Sequence, residues 1–234
     1  MSGNRVTKIV CILGMHRSGT SCLAGSLQEA GLHLGEVNTA AAHNMKGNRE
    51  SRRIWELHDA VLEHSGGRWS EPPERVYWTD AHRAERDAII RSYGDRPVWG
   101  FKDPRALLML DFWREAIADI RFVGTVRHPW LVAESLVRRE GRQLDYWLGI
   151  WAHYNERLLA QHDADPFPVL RFDIGEEVYR RSLAVVIDGL GLQAPAHMAF
   201  FHPELRHHAM PSEQPLPERL GRLYRSLCSI ALDI

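Results

Sequence analysis

Two glycines, an arginine and three hydroxyl side chains stand together near the start of the chain. The segment 14–21 reads GMHRSGTS. When a buried strand precedes such a segment and a helix follows it, successive backbone N–H groups and the positive end of the helix surround one point. That arrangement binds a phosphate or a sulfate. The residues expected to contact the anion are His16, Arg17, Ser18, Gly19, Thr20 and Ser21.

The spacing of this segment resembles a nucleotide-binding phosphate loop, with one departure. Thr20 stands where that loop carries its lysine, and the cation lies inside the loop as Arg17. A standard magnesium–ATP site is therefore not expected. A simpler interpretation is a strand-to-helix turn in which Ser18 and Thr20 only cap the helix. Capping explains one hydroxyl group, but it does not explain the three hydroxyls, two glycines and arginine together.

A second candidate anion site comes later in the chain. Arg127, His128 and Pro129 follow an apolar run, and Ser135 stands eight positions after Arg127. An arginine at the carboxyl end of a strand and a hydroxyl two turns along the next helix can bind one phosphate. Because such a pair is also common by chance, it gains meaning only beside the first loop.

Short apolar runs alternate with segments of helical periodicity along the chain. The runs predict strands over 8–13, 97–101, 120–126 and 168–172, and the periodicity predicts helices over 20–30, 48–65, 80–93, 104–117, 129–139, 144–161, 176–190 and 215–231. This alternation predicts an α/β fold, a P-loop-type parallel β-sheet flanked by helices on both faces. Ligands of such sheets bind at the carboxyl ends of the strands, which here follow Leu13, Phe101 and Val126.

The composition is that of a soluble globular protein. The chain has 234 residues, of which 44% are hydrophobic and 25% charged, and its formal net charge is −1. A near-neutral charge argues against a nucleic-acid or membrane-surface binder, so any anion site must be local. No segment approaches the ~20 apolar residues of a membrane span, and the three cysteines show no pairing pattern. We therefore expect a cytoplasmic protein with no membrane span and no nucleic-acid partner.

Together, the two candidate anion sites resemble those of the sulfotransferases that use 3′-phosphoadenosine 5′-phosphosulfate (PAPS). In that family a basic residue, a hydroxyl residue, glycine and two more hydroxyl residues hold the 5′-phosphosulfate, and residues 17–21 read RSGTS. Arg-x-Pro with a later serine holds the 3′-phosphate, which matches Arg127 and Ser135. The segments 102–105 (KDPR) and 169–173 (VLRFD) resemble further parts of the family. The resemblance spans residues 6–175, and the loop arginine is similar to the carbohydrate and tyrosyl-protein branches.

The resemblance implies a bacterial-type sulfotransferase that uses PAPS without a metal and releases 3′,5′-ADP. Arg17 and Lys102 would neutralise charge on the transferred group and the leaving phosphate. The general base of those two branches is a glutamate at the start of the second helix. This makes Glu50 the first candidate for the base, Glu36 the second and His43 the third. Glu50 has a simpler interpretation as an acid that only stabilises the N-terminus of its helix.

Two further segments have open interpretations. The glycine-rich C-terminal motif of the cytosolic branch has no counterpart here. The segment 200–208 is the candidate replacement, in which Arg206 would reach the 3′-phosphate, and the alternative is a surface turn with solvated histidines or an incidental metal site. Asp103 either orients Lys102 or Arg105, or it caps the helix that Pro104 begins.

The resemblance also implies how the chain is organised. We expect 1–234 to form one sulfotransferase domain, with 32–95 as a mostly helical insertion over the acceptor site. The acceptor would be a small molecule or a glycan, and Trp55, Trp69 and Trp78 lie in this insertion, where they could stack on a sugar. Two other functions stay open: a P-loop kinase acting on a small metabolite, and a non-catalytic nucleotide-binding protein.

Overall fold

Four parallel strands form the central sheet of the computed structural model, which describes residues 7–41, 46–196, 198–200 and 215–234. The strands are β1 (Lys8–Leu13), β2 (Val98–Lys102), β3 (Ile120–Val126) and β4 (Val169–Arg171), in the order β2-β1-β3-β4. Ile12 pairs with Lys102, and Leu13 pairs with Gly124. The carboxyl ends of the central strands therefore meet at one edge, as the alternation of strands and helices predicted.

Helices connect and cover these strands. They are α1 (Thr20–Glu29), α2 (Arg52–His64), α3 (Asp80–Ser92), α4 (Leu110–Arg114), α5 (Pro129–Glu140), α6 (Leu144–Ala164), α7 (Glu176–Leu190) and α8 (Glu218–Ile230), together with a 3₁₀ helix over Pro104–Leu108. The segment 32–95 holds α2 and α3. Within the described ranges, none of these helices has both the length and the apolar character needed to cross a membrane.

The side chains of β1 divide between two apolar cores, one on each face of the sheet. Val10 and Ile12 pack in a core that includes residues of α1 and α7, such as Leu23 and Leu183. The second core contains Cys11 and Leu13 and residues of α2, α4, α6 and α8. Because neighbouring residues of a strand face opposite sides, a strand buried on both faces needs an unbroken apolar run. The predicted α/β class, with helices on both faces, is confirmed.

Two helix boundaries differ from the predicted ones, each for a local reason. The helix expected to begin near Asn48 begins at Arg52, because Arg49 has a positive φ of 56° and its N–H donates to the Asn38 carbonyl oxygen. The helix expected over 104–117 is divided into the 3₁₀ helix and α4, because Met109 leaves the helical region with a φ of −146°.

Gly100 allows β1 and β2 to approach closely. It pairs with Val10, and a Cβ at this position would lie 2.4 Å from the Val10 carbonyl oxygen. We expect Gly100→Ala to lower the free energy of unfolding by about 1–3 kcal/mol, because the two strands must separate locally. Gly149 lies within α6 with open space around it, so Gly149→Ala should instead raise that free energy by about 0.5–1 kcal/mol. Urea denaturation measures both changes, and an unchanged Gly100→Ala would contradict the close approach.

Candidate anion and acceptor site

The loop between β1 and α1 has a backbone that only a few residue types adopt. Gly14, Arg17 and Gly19 have positive φ values of 147°, 68° and 88°. A Cβ at Gly14 would lie 2.7 Å from the Thr125 carbonyl oxygen, and a Cβ at Gly19 would lie 2.3 Å from the ring of Phe172. The two glycines are therefore required by both the conformation and the space around the loop.

The end of β3 holds this loop in place. The buried Thr125 hydroxyl donates to the Ser18 carbonyl oxygen at 3.0 Å. Arg127 Nη1 donates to the Arg17 carbonyl oxygen at 3.1 Å. The carbonyl of Arg127 in turn accepts from Trp151 Nε1 of α6 at 3.1 Å. These bonds fix the loop backbone to the end of β3 and, through Arg127, to α6.

The two sequence-predicted anion sites contact each other. Arg17 Nε donates to Ser135 Oγ of α5 at 2.8 Å. Burial, together with the nearby charges of Arg139 and Arg138, lowers the pKa of Arg17 from its ordinary value. The sequence interpretation assigned Arg17 to the transferred group, whereas here its side chain lies on the side of Ser135, which was assigned to the 3′-phosphate. The Arg17 side chain therefore links the loop to the middle of α5, near the charges of Arg138 and Arg139.

Two polar atoms inside this loop have no hydrogen-bond partner within the described part of the chain. They are His16 Nδ1 and Ser18 Oγ, and both are buried. Burial and the charges of Arg105 and Arg139 lower the pKa of His16 well below its ordinary value, so the imidazole is neutral at pH 7. Buried polar atoms normally have hydrogen-bond partners, so these two atoms of the candidate anion-binding loop (residues 14–21, hereafter the anion loop) are available to a ligand. The residues present therefore fit a bound phosphate or sulfate.

The simpler interpretation of the loop as a plain helix cap does not agree with the structure. The N-cap of α1 is Gly19, and α1 has no side-chain cap hydrogen bond. The Ser18 hydroxyl is thus buried beside the helix start without capping it.

A buried ion pair places a carboxylate beside the loop. Lys102 is the last residue of β2, and its Nζ donates to Glu50 Oε1 at 2.6 Å and to Ser21 Oγ at 3.4 Å. The Lys102 side chain is 1% exposed and that of Glu50 is 15% exposed. Three residues predicted for the site from distant parts of the sequence therefore come together, and the carboxylate is still open to solvent.

The position of Glu50 does not match the simpler helix-end interpretation. It precedes Ser51, the N-cap of α2, so it lies outside the first turn. Its backbone is fixed by Asn38, whose Oδ1 accepts from the Glu50 N–H at 3.2 Å and whose N–H donates to the Glu50 carbonyl oxygen at 3.1 Å. Sequence reasoning missed Asn38, because no local pattern links the two residues.

The other predicted residues are placed as follows. Glu36 is exposed. His43 and Arg206 lie outside the described residues, so their proposed roles stay predictions. Phe200 belongs to the segment 200–208, and its N–H donates to Glu29 Oε2 at 2.8 Å. This contact places the start of that segment against α1.

The three tryptophans of the insertion lie in three different surroundings. Trp69 lies on the loop, with its ring centroid 4.3 Å from that of His16, and the Arg139 guanidinium lies 5.4 Å from the Trp69 ring. Trp78 packs against Phe112 of α4 with the ring centroids 5.4 Å apart. Trp55 is half-buried on α2. Of the three, Trp69 is the one that the structure brings to the anion loop.

Asp103 both caps a helix and forms ion pairs. Its Oδ1 accepts from the Arg105 N–H at 2.8 Å at the start of the 3₁₀ helix, and Arg105 Nη1 lies 3.1 Å from the same oxygen. Burial would raise the pKa of Asp103, but Arg105 and His58 hold it well below its ordinary value. Asp103 is therefore a buried, charged carboxylate directly after Lys102. The sequence analysis did not predict that His58 helps to lower the pKa of Asp103, because this contact depends on how α2 packs.

A second carboxylate lies on the other side of Arg127. Asp173 Oδ2 accepts from the His128 N–H at 2.7 Å and from the Tyr224 hydroxyl at 3.1 Å. A cavity of about 550 Å³ opens there, lined by His128, Pro215, Leu216, Glu218, Gly221, Tyr224 and Arg225. Its volume is within the range of small-molecule sites. The contribution of Tyr224 could not be read from the sequence, because α8 reaches this edge only in the folded chain.

Comparison with known proteins identifies the fold. No protein-family model matches the chain, and no curated protein matches it. The chain is similar in structure to the sulfotransferase domain from the Synechococcus PCC 7002 olefin synthase, with a TM-score of 0.57 and 17% identity over 100% of this chain and 98% of that one. It also matches sulfotransferase STF1 from Mycobacterium tuberculosis, with a TM-score of 0.48 and 15% identity over 96% of this chain and 77% of that one.

The sheet and its loops define an α/β protein with a candidate anion site at the carboxyl edge of a parallel sheet. More particularly, the chain has the fold of a bacterial sulfotransferase domain. The fold that the sequence resemblance implied is thus confirmed, while the branch within the family stays a prediction.

The bond from Thr125 to the loop can be tested without a ligand. Thr125→Val keeps the shape of the side chain but removes the donor to the buried Ser18 carbonyl oxygen. We expect the free energy of unfolding to fall by about 1–3 kcal/mol, because a buried acceptor is left unsatisfied. Thr39 is exposed, so Thr39→Val should change it by less than about 0.5 kcal/mol. Equal effects of the two substitutions in urea denaturation would exclude a role of Thr125 in holding the loop.

Proposed function

We propose that the protein is a sulfotransferase that moves a sulfuryl group from PAPS to a hydroxyl or amine of a small molecule or glycan. The observation that carries this proposal is the buried Glu50–Lys102 pair, which reaches Ser21 of the anion loop. It brings a carboxylate to the point where an acceptor would meet a group held by the loop. The sulfotransferase fold supports the same reaction class.

Different residues of the site would bind different parts of the cofactor. The loop amides, the Ser18 hydroxyl and the start of α1 would hold the 5′-phosphosulfate, and Arg127 and Ser135 would hold the 3′-phosphate. The cavity beside His128 is large enough for the adenosine portion. When bound, the cofactor supplies an activated sulfuryl group with 3′,5′-ADP as the leaving group. The remaining chemistry belongs to the side chains of this chain, without a metal.

Glu50 would act as the general base. Its carboxylate would accept the proton of the acceptor hydroxyl, a role that accelerates such reactions by about 10²- to 10⁴-fold. Lys102 holds this carboxylate at 2.6 Å and also faces Ser21, so its ammonium can neutralise negative charge at the edge of the loop. Arg17 would act from the opposite side, where it links the loop to Ser135. Most of the catalysis would then come from positioning and charge neutralisation.

The acceptor would enter beside the insertion. Trp69 and His16 form an aromatic surface next to the loop, with Arg139 against the Trp69 ring. Trp147 stacks on the Trp69 indole with the ring centroids 5.7 Å apart, so the exposed part of this half-buried side chain, rather than a free ring face, would contact a sugar or a planar small molecule. The carbohydrate branch of the family is thus one expectation for the acceptor, beside small-molecule alcohols.

A metabolite kinase is less well supported. Thr20 stands in place of the phosphate-loop lysine. Asp173, the carboxylate at the end of β4, accepts hydrogen bonds from His128 and Tyr224 through one oxygen and lies 4.0 Å from Arg171 through the other. These partners compete with a metal ion for the carboxylate.

Ligand-dependent melting separates these functions. A ligand at one hundred times its dissociation constant stabilises the folded protein by about 2.7 kcal/mol. The sulfotransferase proposal requires that 3′,5′-ADP raises Tm in the presence of EDTA, and that a +SO₃ mass shift appears on an acceptor panel with PAPS. Stabilisation by magnesium–ATP alone would favour the kinase. Stabilisation by 3′,5′-ADP without any sulfated product from a broad panel would favour a non-catalytic nucleotide-binding protein.

Ser135 should discriminate between ligands that differ only in the 3′-phosphate. Ser135→Ala should weaken 3′,5′-ADP by about tenfold, because a hydrogen bond to a charged group is lost. Adenosine 5′-phosphosulfate lacks the 3′-phosphate, so its affinity should be nearly unchanged. Isothermal titration calorimetry measures both affinities. A parallel loss for the two ligands would indicate that Ser135 acts only through its bond to Arg17.

Glu50 is tested by a substitution that keeps its shape. Glu50→Gln should lower kcat by about 10²-fold or more with little change in the affinity for PAPS, because only the proton acceptor is lost. The acid limb of the kcat profile should also disappear, since that limb would report a carboxylate that must be ionised.

The matched control for this substitution is Glu36→Gln, because Glu36 is an exposed carboxylate of the same insertion. If Glu36→Gln or His43→Ala loses activity while Glu50→Gln retains it, the base has been misassigned. If all three variants turn over normally, catalysis does not use a side-chain base from this segment.

A further inference from the structure

We propose that Asp59 and Arg105 are positioning residues that fix the Glu50–Lys102 pair, an inference that rests on the proposed function. Neither residue contacts the anion loop through a hydrogen bond or ion pair that the described residues show. They act through the neighbours of the pair, by joining α2 to the end of β2.

Asp59, Arg105 and Asp103 form a chain of ion pairs between α2 and the end of β2, which we call the bridge. The bridge begins directly after Lys102. Asp103 is fully buried, and its carboxylate accepts from Arg105 through both the backbone N–H, at 2.8 Å, and Nη1, at 3.1 Å and 3.3 Å to its two oxygens. The guanidinium is thus held in a single orientation by a carboxylate that cannot move. A planar guanidinium with several donors suits this use, whereas an ammonium would not fix a direction.

The other side of the same guanidinium contacts α2. Arg105 Nε donates to Asp59 Oδ1 at 2.6 Å. The neighbouring residue, His58, is fully buried, with Nδ1 3.5 Å from Asp103 Oδ2 and with Nε2 accepting from Trp113 Nε1 at 2.8 Å. Two consecutive residues of α2 are therefore connected to the residue that follows Lys102.

These contacts determine where Glu50 lies. Glu50 and the N-cap Ser51 directly precede α2, so a shift or rotation of α2 moves the carboxylate relative to Lys102. Apolar contacts of Ile54 and Leu57 hold the helix against the core, but apolar packing is not directional. The ion pairs are directional, so they can fix the position and rotation of α2. Fixing one register is the best-attested use of buried charges in proteins.

The charges around the bridge nearly balance. Arg105 faces Asp59 and Asp103, and Lys102 faces Glu50. Removing the Asp59 charge leaves Arg105 with only Asp103. Glu50, whose charge already acts on Arg105, is then the next carboxylate available to the guanidinium. Such a change would draw Glu50 away from Lys102 and from the acceptor.

The first measurement does not depend on enzymatic activity. Hydrogen–deuterium exchange of the unliganded protein reports on the segment 46–51, whose Glu50 amide donates to Asn38. Asp59→Asn should raise the exchange rate of this segment at least threefold. Glu56→Gln is the matched control, because it removes a carboxylate of the same helix whose partner, Arg52, is 82% exposed, and it should leave the rate unchanged. Unchanged exchange in Asp59→Asn would overturn the proposal, whatever reaction the protein catalyses.

The second readout is a double-mutant cycle with PAPS. Asp59→Asn should lower kcat by about ten- to a hundredfold with an unchanged KM for PAPS, because the base is misplaced. In a Glu50→Gln background the same substitution should have almost no effect, because the group that it positions is gone. An equal loss in both backgrounds would show a general structural role and contradict the proposal. Failure of the wild-type protein to use PAPS would instead refute the proposed function and leave the exchange result to decide the positioning role.

Discussion

The attachment of the anion loop to the end of β3 is the constraint on which the rest of the site depends. Thr125 and Arg127 donate to the carbonyl oxygens of Ser18 and Arg17, and the Ser18 N–H donates to the Met15 carbonyl oxygen, so the loop is held both by the end of β3 and by its own backbone. A parallel sheet makes this possible, because neighbouring strands end at the same edge. The same edge brings Lys102 from β2 to the first turn of α1. Three strand ends thus contribute to one candidate site.

Positive charge is concentrated at this edge although the chain as a whole carries a formal net charge of −1. Lys102 and Arg105 are each balanced by carboxylates, whereas the pKa of Arg17 is lowered first by burial and then by the nearby charges of Arg139 and Arg138. Crowded cations repel one another, and an anion bound among them relieves this repulsion. The loop side of the site is therefore suited to a ligand with several negative charges. On the Glu50 side, the charges of Glu50 and Lys102 balance each other.

The sequence predicts the parts of this arrangement that depend on local periodicity. The strand over 120–126 and the loop at 14–19 follow from apolar runs and glycine spacing, and the structure has them where they were expected. The start of α2 was wrong by several residues, because Arg49 takes a left-handed conformation that depends on Asn38. The contact of His58 with Asp103 was not predictable, because it exists only when α2 packs beside the 3₁₀ helix that Asp103 caps. Sequence patterns therefore predict the loop at 14–19 better than they predict the contacts of α2 and of the segment before it.

The conformation of Arg17 shows why an arginine in this position is informative. A residue with a side chain and a φ of 68° stores about 1–3 kcal/mol of strain, which glycine would avoid. The structure maintains the strain by binding the Arg17 carbonyl through Arg127 and its side chain through Ser135. Glycine would stabilise the turn but would remove the guanidinium that joins the two anion sites. A loop needed only to connect a strand to a helix has no use for this strained cation, whereas a loop that must hold one ligand at two charged points does.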